Sequence, residues 1–206
     1  SLQSLALRYV RFDSKVLKKI GELKGLRSLW LSGIGINEES IARIGRLRQL
    51  RELGIVNTGL KDDWLKHLGE LTELRRLRLS KTWIGGKALR FLGKLRKLQK
   101  LHLKDNPIGD DTFVQTSNWK DLRTLVLNGT SVGHKTIERL SRLPELRYLD
   151  IDYTHANLRG FCGLNVFQRL RKLYASKFKS KKIYFGCLSR LHRLEVLKLV
   201  DSGIDC

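Results

Sequence analysis

The 206-residue chain carries 41 Lys and Arg against 20 Asp and Glu, a formal net charge of +21, with 41% hydrophobic residues and two prolines. That much apolar material excludes a disordered basic tail, and no run approaches the roughly 18 apolar residues a membrane-spanning helix needs. A field of this sign favours an anionic partner.

Taken in chain order, the pattern L-x-x-L-x-L begins at Leu2 and returns at Leu26, Leu50, Leu74, Leu98, Leu122, Leu146, Leu170 and Leu194, always after 24 residues. The alternation predicts one short strand per unit. Behind it, apolar residues step by three, as at Leu65, Leu68 and Leu71 or Leu89, Leu92 and Leu95, the spacing of a helical or 3-10 return. Asp13, Asn37 and Asp62 stand where an N-cap side chain accepts backbone N–H bonds. Gly21, Gly45, Gly69 and Gly93 stand where a left-handed residue is expected to end the helix. A single unit cannot bury its own apolar face, so neighbours must stack with their strands about 4.8 Å apart in a parallel sheet.

These residues resemble the leucine-rich-repeat superfamily over essentially the whole chain. The resemblance implies an α/β fold: a horseshoe solenoid with the parallel sheet on its concave face and helices on its convex face. It implies a single domain over residues 1–206, with about eight and a half units, excised from a longer protein. The family's buried turn asparagine is present as Asn106, whereas Thr58, Thr82, Thr130 and Thr154 stand in its place elsewhere. A hydroxyl is expected to bond the turn in its stead. The Thr-bearing units are similar to those of protist and bacterial proteins and, more distantly, of plant intracellular immune receptors.

Alternate strand residues line the concave surface. Reading them along the units gives Ser28, Trp30 and Ser32, then Glu52, Gly54 and Val56, then a basic stretch of Arg76, Arg78 and Ser80 beside Lys100, His102 and Lys104. Sign reverses at Tyr148, Asp150 and Asp152, and Lys172, Tyr174 and Ser176 follow. Residues 74–97 hold nine Lys or Arg and residues 170–193 hold eight, neither stretch containing an acid. The expected surface is therefore two basic bands with an acidic stripe between them. The residues expected to bind a partner are Arg76, Arg78, Lys100, His102 and Lys104 for charge, with Trp30, Tyr148 and Tyr174 as aromatic anchors.

No catalytic residues, metal ligands or cofactor site are expected. His67, His102, His134, His155 and His192 fall at unrelated positions of different units. Gly85-Gly86-Lys87 lacks the flanks of a phosphate-binding loop, and the sequon Asn128-Gly129-Thr130 is accounted for by the repeat itself. Cys162, Cys187 and Cys206 are an odd number without zinc spacing, which favours free thiols and a reducing, intracellular compartment, cytoplasmic or nuclear. The function that follows is a non-enzymatic recognition scaffold mediating protein–protein interaction with an acidic protein partner, without membrane insertion. The alternative is nucleic-acid binding, as in a ribonucleoprotein subunit, which suits the charge but lacks any RNA-binding signature.

Overall fold

The computed structural model describes residues 2–10, 14–113, 118–156, 161–162, 167–177 and 185–201. Each unit supplies one strand: β1 (Ser4–Arg8), β2 (Ser28–Ser32), β3 (Glu52–Val56), β4 (Arg76–Arg78), β5 (Lys100–His102), β6 (Thr124–Val126), β7 (Tyr148–Asp150), β8 (Lys172–Tyr174) and β9 (Val196–Lys198). They pair in chain order in one open, parallel, nine-stranded sheet. Register never slips. Leu5, Leu29, Leu53, Leu77, Leu101, Leu125, Leu149, Leu173 and Leu197 stand in one row because a one-residue shift would turn every leucine to solvent.

The returns across the convex side are α1 (Ser14–Ile20), α2 (Glu38–Ile44), α3 (His134–Leu140) and α4 (Phe185–Leu188), with 3-10 segments over Asp62–Glu70, Gly86–Lys94 and Asp110–Thr112. The three-residue apolar step fits either geometry, and both occur. Between sheet and returns lies one continuous core. Leu26, Leu50, Leu74, Leu98, Leu122, Leu146 and Leu170 are all completely buried. Truncating any one of them to alanine costs on the order of 2–5 kcal/mol.

The turn after each strand explains how threonine substitutes for asparagine. Asn106 Nδ2 donates to the Leu103 and Leu79 carbonyls at 2.8 and 2.5 Å, while its Oδ1 accepts the Thr82 N–H at 3.0 Å. The hydroxyls of Thr82, Thr130 and Thr154 donate to the carbonyl three residues back at 3.0, 2.6 and 2.7 Å. Thr58 Oγ1 makes no such bond. A threonine thus closes its own turn, whereas Asn106 also ties its unit to the preceding one.

Two expectations about caps are corrected. Asn37 caps α2 as expected, accepting the Ser40 N–H at 2.9 Å. Asp62, however, caps no bond of its own segment and instead accepts the Gly85 N–H of the next unit at 2.7 Å, as Asp110 does for Gly133 at 2.7 Å. Asp13 lies outside the described residues. The glycine column is not left-handed either: Gly45 has φ −59°. A Cβ on Gly69 would come within 2.7 Å of the Phe91 carbonyl oxygen, and one on Gly21 within 2.8 Å of Arg43 Cβ. These glycines are required by the close approach of successive convex backbones, not by φ.

The left-handed residues form another column, directly after the strands: Tyr9, Gly33, Asn57, Lys81, Asp105, Gly129, Tyr153, Lys177 and Asp201, all at φ between 48° and 69°. Each N–H in this column from Tyr9 to Lys177 donates to a carbonyl of the following unit, at 2.8–3.0 Å, so the bend extends the ladder past the end of the strands.

The cysteine expectation also changes. Cys162 is disulfide-bonded, which overturns the free thiol and removes the argument for a reducing compartment. The side chains of Cys187 and Cys206 lie outside the described residues.

Candidate functional site

The concave face carries a recess whose aromatic wall depends on one glycine. In the sheet, Trp30, Gly54, Arg78 and His102 stand in a single row across β2, β3, β4 and β5. Gly54 has no side chain, and the Trp30 indole occupies the space beside it, so closely that a Cβ there would overlap the ring. Trp30 Nε1 donates back to Ser28 Oγ at 3.1 Å, which fixes the ring on its strand. The space between this aromatic wall and the next side chains is a recess of about 140 Å³ lined by Trp30, Arg76, Leu77, Arg78, Lys100 and His102. A second hollow, of about 240 Å³, adjoins it at Trp30 and reaches toward Arg8 and Tyr9.

The electrostatics of the recess are unbalanced. Arg76 Nη1 meets Glu52 Oε1 at 2.9 Å, but among the described residues Arg78 and Lys100 have no ion-pair partner. Stacked strands hold these cations close together without an intervening anion, an arrangement that costs energy. Burial of the ring, with Arg78 and Lys100 beside it, holds the His102 imidazole below its usual range, so it is neutral at pH 7.

Five of the eight residues expected to bind a partner therefore meet at one place: Trp30, Arg76, Arg78, Lys100 and His102. Lys104 stands just outside, 3.9 Å from Asp105. Tyr148 and Tyr174 form a separate pair two and three strands further on, with ring centroids 5.3 Å apart and planes tilted by 32°, and Lys198 Nζ 5.9 Å from the Tyr174 ring. Burial, and then the charge of Asp150, push the Tyr148 phenol up to about 12.

The acidic stripe is corrected in part. Asp152 does not face the partner: it is buried, and its carboxylate accepts the Ser176 N–H at 2.5 Å. Asp150 stays half-buried and accepts the Asp152 N–H at 3.1 Å. Of the second basic band, Lys179, Lys181 and Lys182 lie outside the described residues.

A row of repeated strands, a threonine or asparagine turn at a fixed place and a recess on the concave sheet point to one repeat family, and comparison with known proteins decides it. The model described as a leucine-rich repeat region matches residues 2–204. The chain belongs to the leucine-rich-repeat family. Proteins of this architecture are generally interaction scaffolds that use the concave surface. No curated protein sequence matches this one.

Among solved leucine-rich-repeat structures, internalin C2 from Listeria monocytogenes superposes with a TM-score of 0.72 at 21% identity, over 87% of this chain and 74% of that one. A leucine-rich-repeat protein of Leptospira interrogans gives 0.65 at 20%, over 96% and 53%. The ectodomain of the Arabidopsis receptor kinase HAESA, solved with a peptide hormone, gives 0.62 at 20%, over 88% and 31%. At these identities the likeness establishes the solenoid and leaves ligands to the residues. Among the described residues no cluster of His, Cys, Asp and Glu could hold a metal ion, and no helix is long and apolar enough to cross a membrane.

Two features of the repeat surface escaped the sequence reading. Trp83 is 80% exposed in a left-handed conformation at φ 65°, within the most basic unit. Gly54 is the residue that makes room for the Trp30 indole, and its signal was present as the one glycine in the outward-facing row between Trp30 and Arg78.

Proposed function

We propose that this leucine-rich-repeat chain is a non-enzymatic recognition scaffold whose concave sheet binds a protein partner through acidic side chains. One observation carries the reading: two unpaired cations, Arg78 and Lys100, share a recess with a fixed indole, the combination of charge and aromatic anchor that dominates protein interfaces. The complex of the HAESA ectodomain with a peptide hormone is a precedent for this architecture holding a peptide ligand. Lys104, Tyr148 and Tyr174 extend the same surface and make the outer contacts.

The test is fluorescence anisotropy with a labelled acidic pentapeptide, Glu-Glu-Tyr-Glu-Glu, and with a 20-nucleotide single-stranded RNA over a range of salt. Changing Arg76, Arg78 and Lys100 together to Glu is expected to lower peptide affinity at least about tenfold, the scale of losing two or three charge contacts. Changing Lys87, Lys120 and Lys135, exposed and outside the concave strands, to Glu is expected to leave it within about twofold. RNA bound more tightly than peptide, with a steep salt slope, would sink the reading in favour of nucleic acid.

A further inference from the structure

The charge balance of the recess is more specific than acidity. Three cations, Arg76, Arg78 and Lys100, line it, and Glu52 neutralises one, leaving two positive charges. A carboxylate cancels only one of them. A phosphate monoester at neutral pH carries close to two negative charges and offers three acceptor oxygens, which match the fork of a guanidinium.

The aromatic wall supplies the other half of the selection. Trp30 is held beside Gly54 by the bond from Nε1 to Ser28 Oγ, so the indole stands as one side of the recess without further ordering cost. An aromatic ring lying against it would direct a substituent across the sheet toward Arg78, one strand beyond Gly54. A flexible aliphatic phosphate such as phosphoserine makes no use of that wall.

Resting on the reading of an acidic protein partner, we propose that the recess takes a phosphorylated tyrosine side chain, its ring on Trp30 and its phosphate between Arg78 and Lys100 with Arg76 behind. His102 closes the far side as a neutral ring beside the anion. Recognition is then switched by modification of the partner: the same acidic segment binds weakly through the rim and tightly once phosphorylated.

Titration calorimetry with the pentapeptide Glu-Glu-Tyr-Glu-Glu in four forms tests this: unmodified, phosphorylated on Tyr, sulfated on Tyr, and with Glu in place of Tyr. The phosphorylated form is expected to bind at least about tenfold more tightly than the sulfated one, which has the same shape and one charge fewer. Arg78→Gln should abolish that difference, and Trp30→Ala should cost the phosphorylated form more than the Glu form; thermal melts confirm that both variants fold. Equal affinity of the phosphorylated, sulfated and Glu forms would overturn the inference while leaving the acidic-partner reading in place. Tighter binding of 5′-AMP than of the phosphorylated peptide would overturn it in favour of a nucleotide. Failure of every peptide, the unmodified one included, would overturn both.

Discussion

The stretch from β2 to β5 and the stretch from β7 to β8 display charged and aromatic residues on the same concave sheet, yet use them in opposite ways. Around Gly54 the cations are exposed, Arg78 and Lys100 lack ion partners among the described residues, and the indole borders an open recess. Around Asp150 the polar groups are turned on one another: Asp152 accepts the Ser176 N–H, Asp150 accepts the Asp152 N–H, and Tyr148 packs on Tyr174. One glycine accounts for part of the contrast, since a side chain at that place would collide with the Trp30 indole and displace the aromatic wall of the recess. The first region keeps its charged groups for a ligand, and the second spends its acidic groups on the fold, leaving the Tyr148–Tyr174 pair for the outer contacts. Charge changes in the first should therefore move binding and spare stability, and those in the second should do the reverse.

The largest effect expected from that contrast is on stability, at Asp152. The residue is 8% exposed and its carboxylate accepts a backbone N–H of the next unit, so Asp152→Ala leaves a buried donor unsatisfied. The expected loss is about 2–3 kcal/mol, the cost of removing a charge-assisted bond from the interior. Urea denaturation should show it, while affinity for the acidic pentapeptide stays within about twofold. Arg78→Ala should show the mirror image, with stability changed by less than about 0.5 kcal/mol and affinity clearly reduced. If Asp152→Ala instead weakened binding and spared the fold, the two regions would not divide as described.

How much of this was legible in the sequence follows from which forces are periodic. The sheet, its register and the core were readable because burial of leucine repeats with the chain, and a 24-residue period admits one register. Five of the expected binding residues meet because strand alternation and that period together fix their rows. The errors come from interactions between units. Asp62 and Asp110 cap the neighbouring unit, and Gly69 is small for the sake of the Phe91 carbonyl, partners about a full unit away that no local rule identifies. Asp152 followed the outward alternation in the sequence but lies just past the end of β7, where the left-handed residue Tyr153 bends the chain and turns the carboxylate onto Ser176. That bend had its own signal, since glycine, asparagine or aspartate fills five of the nine places in the column.

A smaller effect separates the regions by pH. His102 titrates below its ordinary value because burial, Arg78 and Lys100 disfavour its charged form. An anion in the recess reverses the electrostatic part, so binding is coupled to proton uptake. Affinity for the unmodified pentapeptide, whose carboxylates stay ionised above about pH 5, should rise about two- to fivefold as pH falls from about 7.5 to 5.5. The free protein should lose a little stability over the same range, because below about pH 6.5 the unfolded chain protonates this histidine before the fold does. In His102→Gln the affinity should be flat with pH. A pH dependence that survives the substitution would place its origin outside the recess.

The smallest effect tests the other side of the comparison, at Asp150. Burial first, and then the charge of Asp152, raise its carboxyl above the usual range, so the fold holds this anion less readily than the unfolded chain does. Its ionised form therefore weakens the fold at neutral pH, and the penalty fades as pH falls toward the raised value. Asp150→Asn removes the charge while leaving an amide oxygen able to accept the Asp152 N–H. Because the side chain is only half-buried, solvent screening limits the gain to a few tenths of a kcal/mol at pH 7, disappearing near about pH 4. The same change at Asp152 should go the other way, since there the charge serves a buried bond. Urea midpoints of the two variants at both pH values check this: opposite signs at pH 7 mark one acid as a cost to the fold and its neighbour as a support, whereas a loss in both would mean that the Asp150 carboxylate is as firmly built in as that of Asp152.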